Sequence, residues 1–323
     1  MTSPDLMIQA EGLRKRFGTT QALDGVDLAV PAGTVLGVLG PNGAGKTTAV
    51  RILATLLQAD SGTALIGGYD VATQPHQVRR TIGLTGQYAS VDEDLTGTQN
   101  LLLIGQLLGL SGRDAKSRAA ELLDWFDLAA AAGRTAKTYS GGMRRRLDLA
   151  ASLVGRPQVI FLDEPTTGLD PAKREDMWDV VRNLVDDGST VLLTTQYLDE
   201  ADALADEITV IDKGRVIAHD TPDGLKRVIG GQRIVVTPTD RDRLEDVERL
   251  LRDVTSHPPA VTGRAELTVP VVDEDVFAHV VGRLAAEGIG VNELSLHLPS
   301  LDEVFMTLTG HGTTDESREG EAA

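Results

Sequence analysis

The feature that most restricts the fold is an eight-residue segment that reads GPNGAGKT at positions 40–47. It matches the pattern G-x-x-x-x-G-K-[ST], in which backbone N–H groups of a glycine-rich loop surround phosphate groups. Strand-like runs at 26–30 and 34–39 precede the loop, and apolar positions at helical spacing follow it over 46–57. A strand, a loop and a helix in this order predict an α/β fold in which a helix N-terminus faces an anion.

Two residues give this loop its expected chemistry. Lys46 is expected to reach the β- and γ-phosphates of a nucleotide, and the Thr47 hydroxyl is expected to face Mg²⁺. The candidates for nucleotide binding in this segment are Gly40, Asn42, Gly43, Ala44, Gly45, Lys46, Thr47 and Thr48.

The rest of the chain divides into segments of different pattern. Strand signals at 158–162, 190–195 and 207–211 alternate with helical patterns, which predicts a mainly parallel sheet covered by helices. The pattern between 88 and 153 is helical, so we expect a helical subdomain at about 88–155. The sequence therefore predicts a first domain at 1–222 that contains the phosphate-binding loop.

A turn cluster, DTPDG at 220–224, marks the expected end of that domain. Beyond it, strand and helix patterns alternate over 233–308 and predict a small α+β sandwich at 223–310, of ferredoxin-like type. The polar tail at 311–323 is expected to be disordered.

Composition excludes several classes of function. The chain of 323 residues has no cysteine, so disulfides, zinc–cysteine sites and thiol catalysis are excluded. A net charge of −17 disfavours nucleic-acid binding, which needs positive charge to neutralise phosphates. No run approaches the roughly 20 apolar residues of a spanning helix, and the N-terminus lacks the apolar core of a secretion signal. Any role at a membrane is therefore expected to depend on a partner.

Two carboxylates, Asp163 and Glu164, follow the apolar run at 158–162. Because the carboxyl ends of parallel strands meet at one edge of a sheet, both are expected beside the phosphate-binding loop. There Asp163 suits a Mg²⁺ ligand, and Glu164 suits polarisation of an attacking water. An Asp-Glu pair after a strand is more often a simple helix cap. The loop upstream and the segment PTTGLD at 165–170 favour the catalytic interpretation here.

A second glycine motif, YSGGM at 139–143, opens a predicted helix. Ser140 can act there as a helix N-cap, and the same helix N-terminus can bind an anion, so the two interpretations are compatible. Three arginines follow at 144–146. They fit either a solvated surface or positions close to a nucleotide or to acidic groups of a partner, and the sequence leaves both open.

With these motifs in this order, the chain resembles the ATP-binding subunits of ABC transporters from residue 6 to about 223. The resemblance implies a P-loop NTPase of the ABC type with a helical signature subdomain, and ATP with Mg²⁺ as cofactors. It also implies that the signature residues bind the γ-phosphate of ATP held by a second subunit; these are Ser140, Gly141 and Gly142. Tyr139 and Met143 depart from the commoner Leu-Ser-Gly-Gly-Gln form.

Three further residues take their expected roles from the resemblance alone. Gln87 matches the glutamine that contacts Mg²⁺ and the attacking water, and is followed by a segment that touches the membrane partner. Asp170 matches the loop that crosses the dimer interface. Phe17 matches the aromatic residue that stacks on adenine, although an aromatic residue alone is more often part of a core.

One departure narrows the resemblance. Where the family has its switch histidine after the strand at 191–195, this chain has Gln196, which can donate a hydrogen bond but cannot carry a proton. Together with TGQYA at 85–89 and SLDEVF at 300–305, it resembles the daunorubicin-resistance-type branch of drug exporters.

The resemblance implies an ATPase that powers efflux of an amphipathic drug or antibiotic through a separately encoded integral-membrane permease. It implies a homodimer of ATP-binding subunits, with Glu164, Gln87 and Gln196 at the catalytic centre and Thr47, Gln87 and Asp163 around the metal. The expected place is the cytoplasmic face of the cell membrane, as a peripheral protein that binds no nucleic acid. The alternative is a soluble ABC-type ATPase with a regulatory or assembly role.

Overall fold

The computed structural model describes residues 6–86, 91–229, 232–262, 266–271, 274–297 and 300–309. The chain divides into two compact units, Met1–His219 and Asp220–Ala323. The division falls just before the boundary expected at 222/223, because Pro222 already begins a helix of the second unit. The tail at 311–323, for which disorder is expected, lies outside the described residues.

The first unit combines strands, helices and two short 3₁₀ turns. Its strands are β1 (Leu6–Phe17), β2 (Thr20–Pro31), β3 (Val35–Leu39), β4 (Ser61–Ile66), β5 (Tyr69–Asp70), β6 (Ile82–Thr85), β7 (Val159–Asp163), β8 (Thr190–Thr195), β9 (Glu207–Asp212) and β10 (Arg215–Asp220). Its helices are α1 (Lys46–Leu53), α2 (Pro75–Thr81), α3 (Gly97–Leu107), α4 (Gly112–Trp125), α5 (Gly141–Ser152), α6 (Pro171–Asp186) and α7 (Leu198–Leu204). The 3₁₀ turns are Ala129–Ala131 and Ala136–Thr138.

The central sheet has the strand order β10-β9-β3-β8-β7-β6. The pairs from β9 to β6 are parallel, as the alternation of strands and helices predicts. Strand β7 is buried throughout because both of its faces are covered. Val159 and Phe161 join an apolar cluster with α1 and β1, whereas Ile160 and Leu162 join the cluster of the helical side. Burial on both faces explains why this strand reads as an unbroken apolar run.

A second sheet of the first unit is antiparallel, with the order β2-β1-β4-β5. Of this sheet, the sequence pattern indicated only the run at 26–30, which lies in β2. Its longest pair, β1 with β2, contains several register shifts, for example between Ala10 and Leu13. Each shift changes which face a side chain points to, so the alternation of apolar and polar residues that identifies a strand is lost.

The helices of the signature subdomain begin at residues that the sequence marks as caps. Thr96 and Gln99 form a reciprocal capping box at the start of α3. Ser111 accepts from the N–H of Asp114 at the start of α4, and Ser140 accepts from the N–H of Met143 at the start of α5. Local hydrogen bonding therefore sets where each of these helices begins.

The unusual Tyr139 of the signature segment has a structural explanation. Its side chain is buried, and its hydroxyl donates to the carbonyl of Ala131 at 2.8 Å. A Cβ added at Gly97 would lie 2.4 Å from that hydroxyl, so the ring occupies space that a glycine in α3 leaves free. Tyr139 thus links the segment before α5 to the 3₁₀ turn Ala129–Ala131.

The second unit has the strands β11 (Arg233–Pro238), β12 (Ala260–Thr262), β13 (Glu266–Pro270) and β14 (Val291–His297). Its helices are α8 (Pro222–Ile229), α9 (Leu244–Thr255), α10 (Glu274–Ala286) and α11 (Leu301–Thr309). The sheet is antiparallel in the order β12-β13-β11-β14, which is the βαββαβ arrangement of a ferredoxin-like sandwich. Apolar residues of α9 and α10 pack on it, and α8 packs against α11. An α/β domain followed by a small α+β domain confirms the predicted fold class.

Among the described helices, none combines the length and apolarity needed to cross a lipid bilayer.

Replacing Tyr139 by phenylalanine should lower the free energy of unfolding by about 1 kcal/mol, because the carbonyl of Ala131 loses its buried donor. The measurement is urea unfolding of the purified protein. Gly97→Ala should destabilise more, because its added methyl group meets the Tyr139 hydroxyl. Unfolding midpoints equal to that of the unaltered protein would contradict this account of the tyrosine.

Candidate active site

The parallel register of the central sheet brings the candidate residues to one edge. The pairs at the carboxyl end of the strands are Leu39 with Thr195, Thr194 with Asp163, and Leu162 with Thr85. The chain leaves this edge at Gly40, Gln196, Glu164 and Gly86 in neighbouring strands. Four segments that are separated along the sequence therefore meet at this edge.

The phosphate-binding loop needs its glycines for two different reasons. Gly45 has φ = 113°, a conformation that favours glycine, and a Cβ there would lie 2.4 Å from the carbonyl oxygen of Ala22. Gly40 has little room, since its added Cβ would lie 2.2 Å from the carbonyl oxygen of Ile211. Neighbouring backbone thus encloses the loop at both ends.

Lys46 begins α1 and is almost fully buried. Its Nζ donates to the carbonyls of Gly40 at 2.7 Å and Pro41 at 3.2 Å, so the ammonium group lies under the loop. Burial lowers the pKa of Lys46, and the negative charges of Glu164 and Asp163 oppose this shift. Asn42 is exposed, and Thr47 and Thr48 are partly exposed.

Asp163 is the buried carboxylate of the site. Its Oδ1 accepts from the hydroxyl of Thr194 at 2.5 Å and from the hydroxyl of Thr47 at 3.2 Å. The carboxylate is therefore held by the next strand and faces the helix that follows the phosphate-binding loop. Carboxylate and hydroxyl oxygens are ligands that Mg²⁺ prefers, so this pair could hold the ion together with water and phosphate.

Glu164 has a left-handed backbone conformation, with φ = 51°. This conformation is unfavourable for a residue with a side chain, and hydrogen bonds to the next strand support it. Its N–H donates to the carbonyl of Thr194 at 3.0 Å and to the Thr194 hydroxyl at 3.2 Å. Its Oε2 accepts from Thr167 at 3.3 Å. The turn directs the chain away from the sheet immediately after Asp163.

A second buried carboxylate, that of Glu200 on α7, lies near the loop that follows Glu164. Burial raises the pKa of Glu200, and the polar groups of Thr195, Thr166 and Trp178 near its carboxylate only partly oppose this shift. Thr166 belongs to the loop that follows Glu164, and Thr195 ends β8. The Glu200 carboxylate therefore lies close to both of these segments.

The signature residues lie apart from the phosphate-binding loop of the same chain. Ser140 and Gly141 are exposed at the N-terminus of α5, and a Cβ added at Gly142 would lie 3.1 Å from Cδ of Lys173. Among the described residues, no hydrogen bond or ion pair joins Ser140–Gly142 to residues 40–47. The signature residues thus make no such bond to the phosphate-binding loop of their own chain within the described residues.

The remaining candidates lie in different surroundings. Asp170 caps the N-terminus of α6, where its ion pair with Lys173 lowers the pKa of the carboxyl. Phe17 is 49% exposed at the end of β1, with the Nζ of Lys15 at 5.7 Å from the ring centroid, so it does not belong to a core. Gln196 is exposed directly after β8. Gln87 lies outside the described residues.

Two residues of the site were not identified from the sequence. Thr194 holds both Asp163 and Glu164, and a polar residue at the end of an otherwise apolar strand was a signal for it. Arg145 donates to backbone carbonyls around Glu164. Its side chain is mostly buried. No local pattern shows which of three consecutive arginines will be the buried one.

Comparisons with known proteins agree with this geometry. The profile of the ABC transporter family matches residues 23–167, and that of the "ATP-binding protein DrrA1-3-like, C-terminal domain" matches residues 221–309. A solved ATP-binding cassette of an ABC transporter, in its ADP conformation, has a TM-score of 0.61 at 28% identity. The match covers 67% of this chain and 91% of that one. The fold and site thus define an ATP-binding cassette, a P-loop ATPase of the ABC class.

Relatives of near full length define the group within that class. The daunorubicin resistance ATP-binding protein DrrA2 of Streptomyces coeruleorubidus is 56% identical, over 95% of this chain and 96% of its own. The daunorubicin/doxorubicin resistance ATP-binding protein DrrA of Streptomyces peucetius is 53% identical, over 98% and 97%. The linearmycin resistance ATP-binding protein LnrL of Bacillus subtilis is 33% identical, over 96% and 100%. The chain belongs to the family of drug-resistance ATP-binding proteins of ABC transporters.

Replacing Gly45 by alanine should disrupt the loop more than replacing Gly43, its matched control. Both residues have positive φ, which costs an alanine about 1–2 kcal/mol. A Cβ at Gly43 meets nothing within 4 Å, whereas one at Gly45 meets backbone. We expect Gly45→Ala to show the lower melting temperature and the weaker binding of a fluorescent ATP analogue. Equal effects of the two substitutions would show that the close approach is unimportant.

The raised pKa of Glu200 predicts a pH dependence of stability. As pH rises above the ordinary value of this carboxyl, the unfolded chain ionises first, so the folded protein loses stability until its own pKa is passed. Glu200→Gln removes this loss. We therefore expect the melting temperature of the unaltered protein, relative to Glu200→Gln, to fall as pH rises above 4.5. A difference that increases with pH would contradict the assigned direction.

Proposed function

We propose that this protein hydrolyses ATP to power export of an amphipathic drug or antibiotic through a separate integral-membrane subunit. The observation that carries the proposal is the meeting of the phosphate-binding loop, Asp163 and Glu164 at one sheet edge. The relatives are named for resistance to daunorubicin, doxorubicin or linearmycin, which supports a drug as the exported compound. Those relatives do not favour the alternative of a regulatory or assembly ATPase.

The phosphate-binding loop holds the triphosphate in this proposal. Backbone N–H groups of 40–47 and the N-terminus of α1 face the phosphates, and the buried ammonium of Lys46 supplies the positive charge. Lys46 now donates to the loop's own carbonyls, and phosphate oxygens are stronger acceptors for these protons. The exposed ring of Phe17 offers a face for adenine.

The residues present fit a bound Mg²⁺. Thr47 and Asp163 would hold the ion, and Gln87 is the further proposed ligand from the resemblance. The ion would neutralise charge on the phosphate oxygens. Thr194 keeps the Asp163 carboxylate oriented towards Thr47 through its short hydrogen bond.

Hydrolysis needs a group that polarises the attacking water, and we assign this role to Glu164. The left-handed residue Glu164 follows the strand directly after the buried Asp163, and its side chain is only partly buried. Gln196, which leaves the same edge from β8, can donate a hydrogen bond to the γ-phosphate. Because it cannot take a proton, we propose that it orients the phosphate while Glu164 acts on the water.

The active form is proposed to be a homodimer. The N-terminus of α5, with Ser140, Gly141 and Gly142, would bind a ligand that lies outside its own chain; Ser140 and Gly141 are exposed there. In the dimer it would contact the γ-phosphate of ATP held by the partner, and Asp170 would lie at the interface. A related cassette has been solved as a dimer bound to ADP and Pi, with a TM-score of 0.61 at 26% identity. That match covers 67% of this chain and 98% of that one.

The place proposed for this dimer is the cytoplasmic face of the cell membrane, where its permease partner spans the bilayer. No role in nucleic-acid binding is proposed, given the net charge of −17. The second unit lacks the nucleotide motifs, and we propose that it stabilises the dimer or docks the partner. Leu301 and Val304 on α11 are buried, so the exposed Asp302 and Met306 are the better candidates for such a contact.

The test uses the chain produced together with its membrane subunit. Glu164→Gln should lower ATP turnover by about 100-fold or more while ATP still binds, because it removes a general base at constant size. Gln196→Ala should leave measurable hydrolysis. The readouts are steady-state phosphate release and efflux of daunorubicin from cells.

Glu121→Gln, which alters an ion-paired carboxylate on α4, is the matched control and should retain full turnover. Unchanged turnover in Glu164→Gln would refute the role of that residue. ATP hydrolysis by the complex without efflux of any amphipathic drug would refute the export function.

A further inference from the structure

Arg145 makes a set of contacts that the nucleotide motifs do not account for. It lies on α5, one turn after the signature residues, and its side chain is only 18% exposed. All three guanidinium nitrogens donate to backbone carbonyls. The pairs are Nε with Pro165 at 3.0 Å, Nη1 with Gly86 at 2.9 Å, and Nη2 with Glu164 at 3.2 Å and with Asp163 at 3.5 Å.

These carbonyls belong to two segments that separate at the sheet edge. Strands β6 and β7 pair as far as Thr85 and Leu162, and beyond that point each chain segment turns into its own loop. The guanidinium bridges the two loops after the strand pairing has ended. It also binds the carbonyl of Glu164 and those of the residues on either side of it, at the left-handed turn. The planar fork of arginine suits this task because several N–H groups point outward at fixed angles.

The charge of Arg145 is balanced from its own helix. The buried carboxylate of Asp148, three residues further along α5, lies 3.6 Å from Nη1. Burial lowers the pKa of Arg145, and the charges of Asp148, Asp163 and Glu200 oppose that change. The guanidinium is thus fixed between a carboxylate of α5 and the carbonyls of the catalytic loops.

The two neighbouring arginines have different partners. Arg144 forms an ion pair with Glu93 at 2.7 Å. Arg146 donates to the carbonyl of Phe126 at 3.1 Å, in the helical subdomain. Among the three arginines of the described helix, Arg145 alone is bonded to the loops at Gly86 and 163–165. Its role is therefore not shared by its neighbours.

We propose that Arg145 is a positioning residue that holds Glu164 for hydrolysis and makes its position depend on α5. The N-terminus of α5 carries Ser140, which in the proposed dimer contacts ATP on the partner. Binding of that ATP would set the position of α5, and the guanidinium would transmit this position to the loop of Glu164 in its own chain. The two ATP sites of the dimer are thereby linked through each subunit. This inference rests on the proposed homodimeric ATPase function.

The experiment compares Arg145→Met, Arg145→Lys and the unaltered protein in the complex with the membrane subunit. Arg145→Met keeps an apolar stem and removes the donors. We expect its kcat to fall about tenfold or more, with ATP affinity within about twofold of normal. The Hill coefficient for ATP should fall towards one, because the link between sites is lost. Arg145→Lys should recover only part of kcat, since one ammonium cannot reproduce the fork.

Arg182→Met is the matched control. Arg182 also donates to a backbone carbonyl, that of Ala203 at 3.4 Å, and pairs with Asp179 on its own helix. Its replacement should leave kcat and the Hill coefficient unchanged. Melting temperatures of all variants identify any loss that is due to unfolding, and Arg145→Lys keeps the test decisive if Arg145→Met is unstable.

A double-substitution cycle tests the link itself. If Ser140 and Arg145 act through one helix, the combined loss of kcat in Ser140→Ala with Arg145→Met should be smaller than the product of the single losses. Independent, multiplicative losses would refute the link, and an unchanged kcat in Arg145→Met would refute the positioning role. If the unaltered complex hydrolyses no ATP, the proposed function itself fails. Turnover that depends on Glu164 but not on Arg145 removes only this inference.

Discussion

The parallel register of β3, β8, β7 and β6 is the constraint on which the rest of the site depends. Parallel strands place their carboxyl ends at one edge, so a residue that follows one strand lies beside the residue that follows the next. The pairing of Thr194 with Asp163 shows the effect most directly, because a side chain from β8 then holds the carboxylate of β7. Without this register, the phosphate-binding loop and Asp163 would be unrelated segments 116 residues apart.

Unfavourable local conformations at this edge are supported by tertiary contacts. Gly45 adopts a positive φ, and the backbone of Ala22 also leaves no room there for a side chain. Glu164 adopts one although it has a side chain, because its N–H donates to Thr194 and its carbonyl accepts from Arg145. Functional sites commonly contain such conformations, because the surrounding structure can hold a residue where the chain alone would not place it.

In the helical subdomain, the starts of the helices are determined by neighbouring residues rather than by tertiary contacts. Its helices begin after the caps Thr96, Ser111 and Ser140, each of which accepts a hydrogen bond from the N–H three residues further along. These starts depend on near neighbours, and the same is true of the loop pattern at 40–47. In the antiparallel sheet of β1, β2, β4 and β5, bulges removed the alternation on which strand prediction depends. Of that sheet only the strand-like run at 26–30 in β2 was predicted, whereas the parallel sheet was predicted as a whole.

The sequence by itself determined the class of fold, the order of its two domains and the set of candidate residues in the phosphate-binding loop, at 163–164 and at 140–142. These follow from short motifs and apolar periodicity, which are properties of neighbouring residues. Only the tertiary structure decided that Thr194 holds Asp163, that Glu200 is buried behind the loop, and that Arg145 differs from Arg144 and Arg146. The physical reason is that burial and hydrogen-bond partners come from segments distant in the chain, and identical side chains in succession on a helix point in different directions.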